Sequence, residues 1–268
     1  MLQYCHVDVI YFLYHKLFLM KRSAEQMARI QCNVISYILH RTVDMTIVLP
    51  TVTMPGCTKD AHHVYPHPYP VLYLLHGMGN NHQQWCGYTN LERYAEERQI
   101  AVVMISGENK FYLNWGEDLF YDFIETELPE FITNTFPVSS RPEDTYIAGL
   151  SMGGFGALYH GLKNPEKYRA IGAFSAAVGV PELKEYNLSD IPLSPTCCPA
   201  LYITCGENDF LYKNNQEFIR HLDENKIEYT WVSEPGYEHE WRFWDLAVER
   251  FLDWIPRTDS YKGAKRRI

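Results

Sequence analysis

The stretch TYIAGLSMGG (Thr145–Gly154) decides how the rest of this sequence is read. Tyr146 to Ala148 is apolar and suited to a buried strand. Gly153 to Leu162 is a run of small and apolar residues suited to a helix packed closely on a sheet. Between them stands Gly149-Leu150-Ser151-Met152-Gly153, a G-x-S-x-G pattern in the strand–turn–helix setting that lifts a serine hydroxyl above a sheet edge. A Cβ at 149 or 153 would collide with neighbouring backbone in so sharp a turn, and glycine adopts unusual dihedrals without penalty. Ser151 would then open a helix, with the Met152 N–H and the helix dipole aimed at a developing oxyanion. A tight βα connection without chemistry would explain the same glycines, so the partners of Ser151 have to decide.

Outward from this stretch, continuous apolar runs recur at Val71–Leu75, Ile100–Ile105, Ala170–Phe174, Leu201–Cys205 and Tyr229–Val232. Runs without alternation suit strands covered on both faces, hence a parallel sheet. Helical patterns fall between them: Leu91, Tyr94 and Ala95 behind a capping box at Thr89–Glu92; Leu119 to Leu128, ended or kinked by Pro129; Phe218 to Leu222; and Trp244 to Phe251. Val43, Met45, Ile47 and Leu49 alternate as in a half-buried edge strand. The expected fold class is α/β, a mostly parallel doubly wound sheet flanked by helices. With no dividing linker, residues 27–256 read as one domain.

In such a sheet the chain order is nucleophile, acid, histidine. Gly206-Glu207-Asn208-Asp209 follows the Leu201–Cys205 strand, and His239 follows the last strand. Asp209 is the preferred acid, with Glu207 its rival. The carboxylate would accept from His239 Nδ1–H and fix the tautomer that takes the Ser151 proton. A second oxyanion donor is expected after an early central strand, and His76-Gly77-Met78-Gly79 follows Val71–Leu75, which makes the Met78 N–H the candidate. His76 reads as a structural residue, since the site already has a base.

Composition bounds the function. A net charge of −9 argues against nucleic acid or an anionic membrane as partner, because phosphate neutralisation needs clustered Lys and Arg. The basic cluster Lys262–Arg267 reads as a solvated tail, taken as 257–268. Seven cysteines, an odd number without a C-x-x-C, suggest neither a disulfide framework nor zinc, and point to free thiols in a cytoplasmic setting. His62, His63 and His67 lie in a Pro-rich stretch and read as an exposed loop rather than a metal site. Val9–Met20 is too short to span a bilayer and lacks signal-peptide flanks. Lys21-Arg22-Ser23 can be encoded by a purine-rich run resembling a ribosome-binding site ahead of Met27, so residues 1–26 are expected to be a translated leader.

Four motifs in order, His76-Gly-Met-Gly-Asn-Asn81 with Trp85, Gly149–Gly154, Cys205-Gly-Glu-Asn-Asp-Phe210-Leu211-Tyr212, and His239-Glu240-Trp241, resemble the esterase D-like serine esterases. That group includes tributyrin and acetyl esterases, feruloyl esterases and S-formylglutathione hydrolases. The resemblance covers about Met27 to Pro256. It implies an α/β-hydrolase fold and a triad of Ser151, Asp209 and His239, with Met78 and Met152 N–H groups as oxyanion hole. It implies a small-molecule ester as substrate, no cofactor and no metal, and leaves a homo-oligomer open. The expected reaction is hydrolysis of short-chain acyl, acetyl or cinnamoyl-type esters through an acyl-enzyme. An acyltransferase or S-formylglutathione-type thioesterase with the same triad, and an inactive binding protein, are the alternatives. Relatives often carry a longer insertion between the strands equivalent to Ala170–Phe174 and Leu201–Cys205; the short stretch here implies a short cap and an open site. Trp85, Trp115 and Trp241 are the substrate-binding candidates, although aromatic residues form 15% of the chain and most such side chains are core.

Overall fold

Apolar strands that show no alternation need cover on both faces, and the central strands of this chain have it. The computed structural model describes residues 27–50 and 68–258. The strands are β1 (Met27–Ser36), β2 (Arg41–Pro50), β3 (Val71–Leu75), β4 (Ala101–Ile105), β5 (Asn114–Trp115), β6 (Asp118–Leu119), β7 (Thr145–Leu150), β8 (Ala170–Phe174), β9 (Ala200–Gly206) and β10 (Thr230–Glu234). Eight form one sheet in the order β1-β2-β4-β3-β7-β8-β9-β10, and β5 pairs with β6. From β4 to β10 the neighbours are parallel; β1 and β2 join antiparallel.

Helices cover both faces. On one, α1 (Gln84–Tyr88), α2 (Leu91–Glu97) and α6 (Trp241–Trp254) bury Trp85, Leu91, Phe243 and Phe251 against Leu72, Leu74 and Phe174. On the other, α3 (Leu128–Thr135), α4 (Met152–Lys163) and α5 (Tyr212–Glu224) bury Ile132, Phe155, Leu158 and Leu222 against Tyr73, Ile147 and Ile171. The chain steps outward from β3 to β4, then returns to β7 on the other flank of β3. Such a reversal opens a crevice beyond the C-terminal ends of the two strands, where ligands bind in open α/β sheets. Leu75 and Gly149 are register partners at its floor.

Three sequence expectations change. The strand at residues 43–49 is not an edge: β2 lies between β1 and β4 and is buried from Met45 onward, while β1 is the alternating edge. On the face between these residues, the Thr46 hydroxyl pairs with His82 Nδ1 at 2.8 Å and is buried there. The capping box does not form. Asp245 takes the Asn90 N–H at 2.9 Å and the Thr89 hydroxyl takes the Leu91 N–H at 3.2 Å, leaving Glu92 to pair with Arg29. Of the two readings of Pro129, the stop is excluded. An α turn (Phe120–Asp122) and a π turn (Phe123–Glu127) lead into α3, with Pro129 in its first turn. Proline supplies no N–H to the carbonyl four residues back; that carbonyl, Glu125 O, instead accepts from Lys167 Nζ at 3.0 Å.

The expected leader, residues 1–26, and the His-rich stretch through His67 lie outside the described residues, as does most of the basic tail. The first two tail residues are tied down: Arg257 donates to Arg98 O, and Thr258 to Asp144 Oδ1 at 2.7 Å. Asp144 Oδ2 also accepts from the Ser139 hydroxyl and Arg141 Nε at 2.7 and 2.8 Å. Burial pushes the Asp144 carboxyl up, but Ser139, Thr258 and Arg141 together hold it below its usual range. A depressed carboxylate stabilises the fold above its unfolded pKa and loses that contribution as pH falls through the folded one. Asp144→Asn should therefore lower stability by about 1–3 kcal/mol at neutral pH. Urea unfolding across a pH series should show the gap to wild type narrowing below about pH 4.

Candidate active site

The turn after β7 holds Ser151 at φ 52° and ψ −116°, a left-handed backbone that a side chain rarely adopts. Three backbone bonds hold it there. Ser151 N–H donates to Phe174 O at 2.8 Å, and Ser151 O accepts from Phe155 N–H and Ala177 N–H at 3.0 and 2.9 Å. The flanking glycines are needed for space rather than for dihedral freedom. A Cβ on Gly149 would lie 2.4 Å from the Gly153 carbonyl, and one on Gly153 2.5 Å from Leu75 O. Strand β3, strand β7 and helix α4 thus meet without side chains between them, and the unusual dihedral falls on the serine itself.

Ser151 Oγ is 3.0 Å from His239 Nε2, and His239 Nδ1 is 2.8 Å from Asp209 Oδ2. Asp209 follows β9 and its side chain is fully buried, while the His239 side chain stays one-fifth exposed. Burial pushes the Asp209 carboxyl up. Hydrogen bonds from His239, Ser175 and the Leu211 N–H outweigh that and hold it below its usual range. Glu207 instead accepts from the Ser233 hydroxyl at 2.8 Å. The loops carrying Asp209 and His239 are joined by Glu207 N–H to Glu234 O and Asn208 N–H to Tyr237 O, at 2.9 and 3.0 Å.

The loop after β3 closes the other side. Gly77 lies so near that a Cβ there would be 3.5 Å from Ser151 Cβ. Among the described residues neither Met78 N–H nor Met152 N–H donates to a protein acceptor, so both stay available to a ligand. The Met78 side chain is exposed and Met152 is buried. His76 is structural: Nδ1–H donates to Gly77 O at 2.7 Å and Nε2 accepts from Gly107 N–H at 2.7 Å. Burial lowers its pKa to about 4, which keeps it neutral.

The three tryptophans separate. Trp85 has no accessible surface and cannot touch a substrate. Its Nε1–H donates to Leu75 O at 3.1 Å, which braces the end of β3 from beneath. A five-residue helix turns it inward, and its distance in sequence from the glycine loop could not tell the two sides apart. Trp241 is half-buried, stacks on Tyr88 and reaches His239 only through the Trp244 ring. Trp115 is exposed, pairs with Lys110 O and packs on Tyr186.

Two residues at the site escaped the sequence reading. Ser175 is buried, accepts from Trp244 Nε1–H at 3.3 Å and supports Asp209; a serine ending a strand carries no signal of that role. Phe210 is 73% exposed and lies 4.6 Å from the His239 ring, so an apolar surface adjoins the histidine on its open side. Its place beside Asp209 was the available clue. Among the described residues no group of His, Cys, Asp and Glu is arranged to hold a metal ion, and no helix is long and apolar enough to cross a membrane.

A parallel sheet with a serine on the switch-point turn, hydrogen-bonded to a histidine and a carboxylate in this order, defines an α/β-hydrolase. Comparison with known proteins agrees. Residues 61–235 match the model of the Esterase family, described as "Putative esterase". An acetyl esterase of Caldicellulosiruptor saccharolyticus is 29% identical over 269 residues, covering 87% of this chain and all of that one. The substrate-bound fluorophosphonate-binding serine hydrolase F of Staphylococcus aureus superposes with a TM-score of 0.75 at 28% identity, covering 85% of this chain and 98% of its own. The S-formylglutathione hydrolase of Staphylococcus aureus gives 0.71 at 28% identity over the same shares. The chain belongs to this esterase family.

The elbow permits a direct test. In Gly149→Ala the new methyl meets Gly153 backbone, which cannot yield without moving Ser151. Urea unfolding should show a loss of about 3 kcal/mol, at the upper end for an overpacked site.

Proposed function

We propose that this protein is a serine carboxylesterase in which Ser151 is the nucleophile, His239 the general base and Asp209 the residue that orients the histidine. The observation that carries this reading is the unbroken run from Asp209 Oδ2 through the His239 ring to Ser151 Oγ, at 2.8 and 3.0 Å. His239 Nε2 takes the hydroxyl proton as Ser151 Oγ attacks the ester carbonyl. The imidazolium so formed faces an ionised Asp209 and returns the proton to the departing alcohol oxygen. Water activated by the same nitrogen then releases the acid from the acyl-enzyme. The Met78 and Met152 N–H groups, without an acceptor among the described residues, receive the tetrahedral oxyanion, each contributing about 3 kcal/mol.

The substrate class we favour is a short-chain or acetyl ester of a small molecule. The acetyl esterase relative supports it, and so does the segment between β8 and β9. That segment holds only two 3₁₀ turns, Pro181–Tyr186 and Leu188–Asp190, rather than a deep cap. With Phe155, one helical turn past Ser151, it encloses an open groove of about 270 Å³ lined by Val180, Leu183 and Tyr186. A cytoplasmic setting is supported by the described cysteines, all free thiols.

Ser151→Ala should lower kcat on acetyl and butyryl p-nitrophenyl esters by at least about 10³-fold while leaving the fold intact. Wild-type turnover in that variant would sink the assignment. Including methyl cinnamate, S-formylglutathione and an added acceptor alcohol in the same panel separates acyl preference, thioester cleavage and acyl transfer.

A further inference from the structure

The mechanism leaves unused a second buried histidine, bonded to the segment that follows β4. His160, on α4, has no accessible surface. Its Nδ1 is 2.6 Å from Glu125 Oε1 and its Nε2 is 2.8 Å from the Tyr112 carbonyl oxygen. A backbone carbonyl can only accept. The Glu125 carboxylate is already ringed by donors: Lys167 Nζ at 2.8 Å on Oε2 and the Tyr168 hydroxyl at 2.9 Å on Oε1. Burial pushes this carboxyl up, yet His160 and Lys167 outweigh it and hold the group below its usual range. Both ring nitrogens of His160 therefore face acceptors. A neutral imidazole carries one N–H and can satisfy only one of them; two require the imidazolium. The Tyr121 ring stacks on His160 at 4.7 Å and 22°, a face that suits a cation. The remaining charge nearby is Lys163, which lies over the Tyr121 and Tyr159 rings.

What this pair grips is unusual backbone. Glu108, Asn109, Phe111 and Tyr112 all have positive φ, between 48° and 62°, and none is glycine. Residues held in that region persist only where their surroundings over-determine them, and they cluster at functional sites. The same segment clasps the loop after β3 at three points. The Tyr112 hydroxyl donates to His76 O at 2.8 Å, Gly107 N–H donates to His76 Nε2 at 2.7 Å, and Asn109 Oδ1 accepts from Gly79 N–H at 2.7 Å. Met78 lies within the clasped loop.

We propose that His160, donating from both ring nitrogens, forms with Glu125 an ion pair that is a positioning device. It fixes the strained segment 107–112, and through it the loop His76–Gly79, against Ser151. The role in catalysis rests on the reading of Met78 N–H as an oxyanion donor; the charge on His160 does not. The pair acts through Tyr112 and touches no reacting atom. Its loss should weaken binding of the transition state more than binding of the substrate.

The first experiment uses wild-type protein labelled with ¹⁵N-histidine. The His160 nitrogens, identified by their loss in His160→Gln, should both show protonated shifts at neutral pH, and should do so equally in Ser151→Ala. One unprotonated His160 nitrogen would overturn the charged pair whatever Ser151 does. The second experiment measures kinetics on folded, active-site-titrated variants. Glu125→Gln, which keeps shape but removes the charge, should lower kcat about 10- to 100-fold with KM nearly unchanged, and Glu125→Asp should recover part of the loss. Should Glu125→Gln fail to fold, Tyr112→Phe, which deletes only the hydroxyl on His76 O, should show the same split between kcat and KM. Wild-type kcat in folded Glu125→Gln, or in Tyr112→Phe, would overturn the positioning role.

Discussion

One serine held in a backbone conformation it would not choose is the constraint on which this molecule turns. Left-handed dihedrals on a residue with a side chain cost on the order of 1–3 kcal/mol. Ser151 keeps them because three backbone hydrogen bonds, from β8 and the segment after it and from α4, over-determine its position. The close approach of β3, β7 and α4 leaves no volume for a relaxed turn: the backbone at Leu75, Gly149 and Gly153 is already in contact. The same approach brings the loop after β3 against Ser151, so the strain at Ser151 and the placement of the Met78 and Met152 N–H groups have a single cause.

The acid side solves a different problem. A carboxylate without exposed side-chain surface is costly unless its lone pairs are matched. Asp209 meets the cost with donors from three parts of the chain: His239, Ser175 and the Leu211 amide. Ser175 in turn is fixed by Trp244, whose ring also meets the edge of His239 at 4.9 Å. The histidine is thus held by its partner and by its partner's partner, while Phe210 borders its open side.

Much of this was legible in the sequence because it follows from local physics. Apolar runs without alternation gave the parallel strands, and the order of Gly149–Gly153, Asp209 and His239 matched the C-terminal ends of successive strands. Most of the errors share a cause. The alternation at Val43 to Leu49 describes one face of β2; the other face is decided by His82, far along the chain. Thr89 and Glu92 offered a local cap, but Asp245 on α6 supplied a better acceptor. Trp85 stood beside a site motif yet points under the sheet, because five helical residues reverse the chain. Pro129 was read as a stop or a kink, and the stop fails because a lysine 38 positions later takes up the released carbonyl. In all but the Trp85 case a distant residue overrode a correct local preference.

Three histidines show how far partner counting carries. His76 has one acceptor at Nδ1 and one donor at Nε2, so it is neutral, with the proton on Nδ1. His239 has a carboxylate at Nδ1 and a hydroxyl at Nε2. The same tautomer results, but the donor at Nε2 is now a serine that can surrender its proton. His160 has acceptors at both nitrogens and no tautomer satisfies them. The side chain is the same in all three; what differs is whether the group facing each nitrogen can give a proton, take one, or do either. The structural role of His76, and the roles proposed for His239 and His160, follow from that difference, and each is set by tertiary partners that no local sequence pattern encodes.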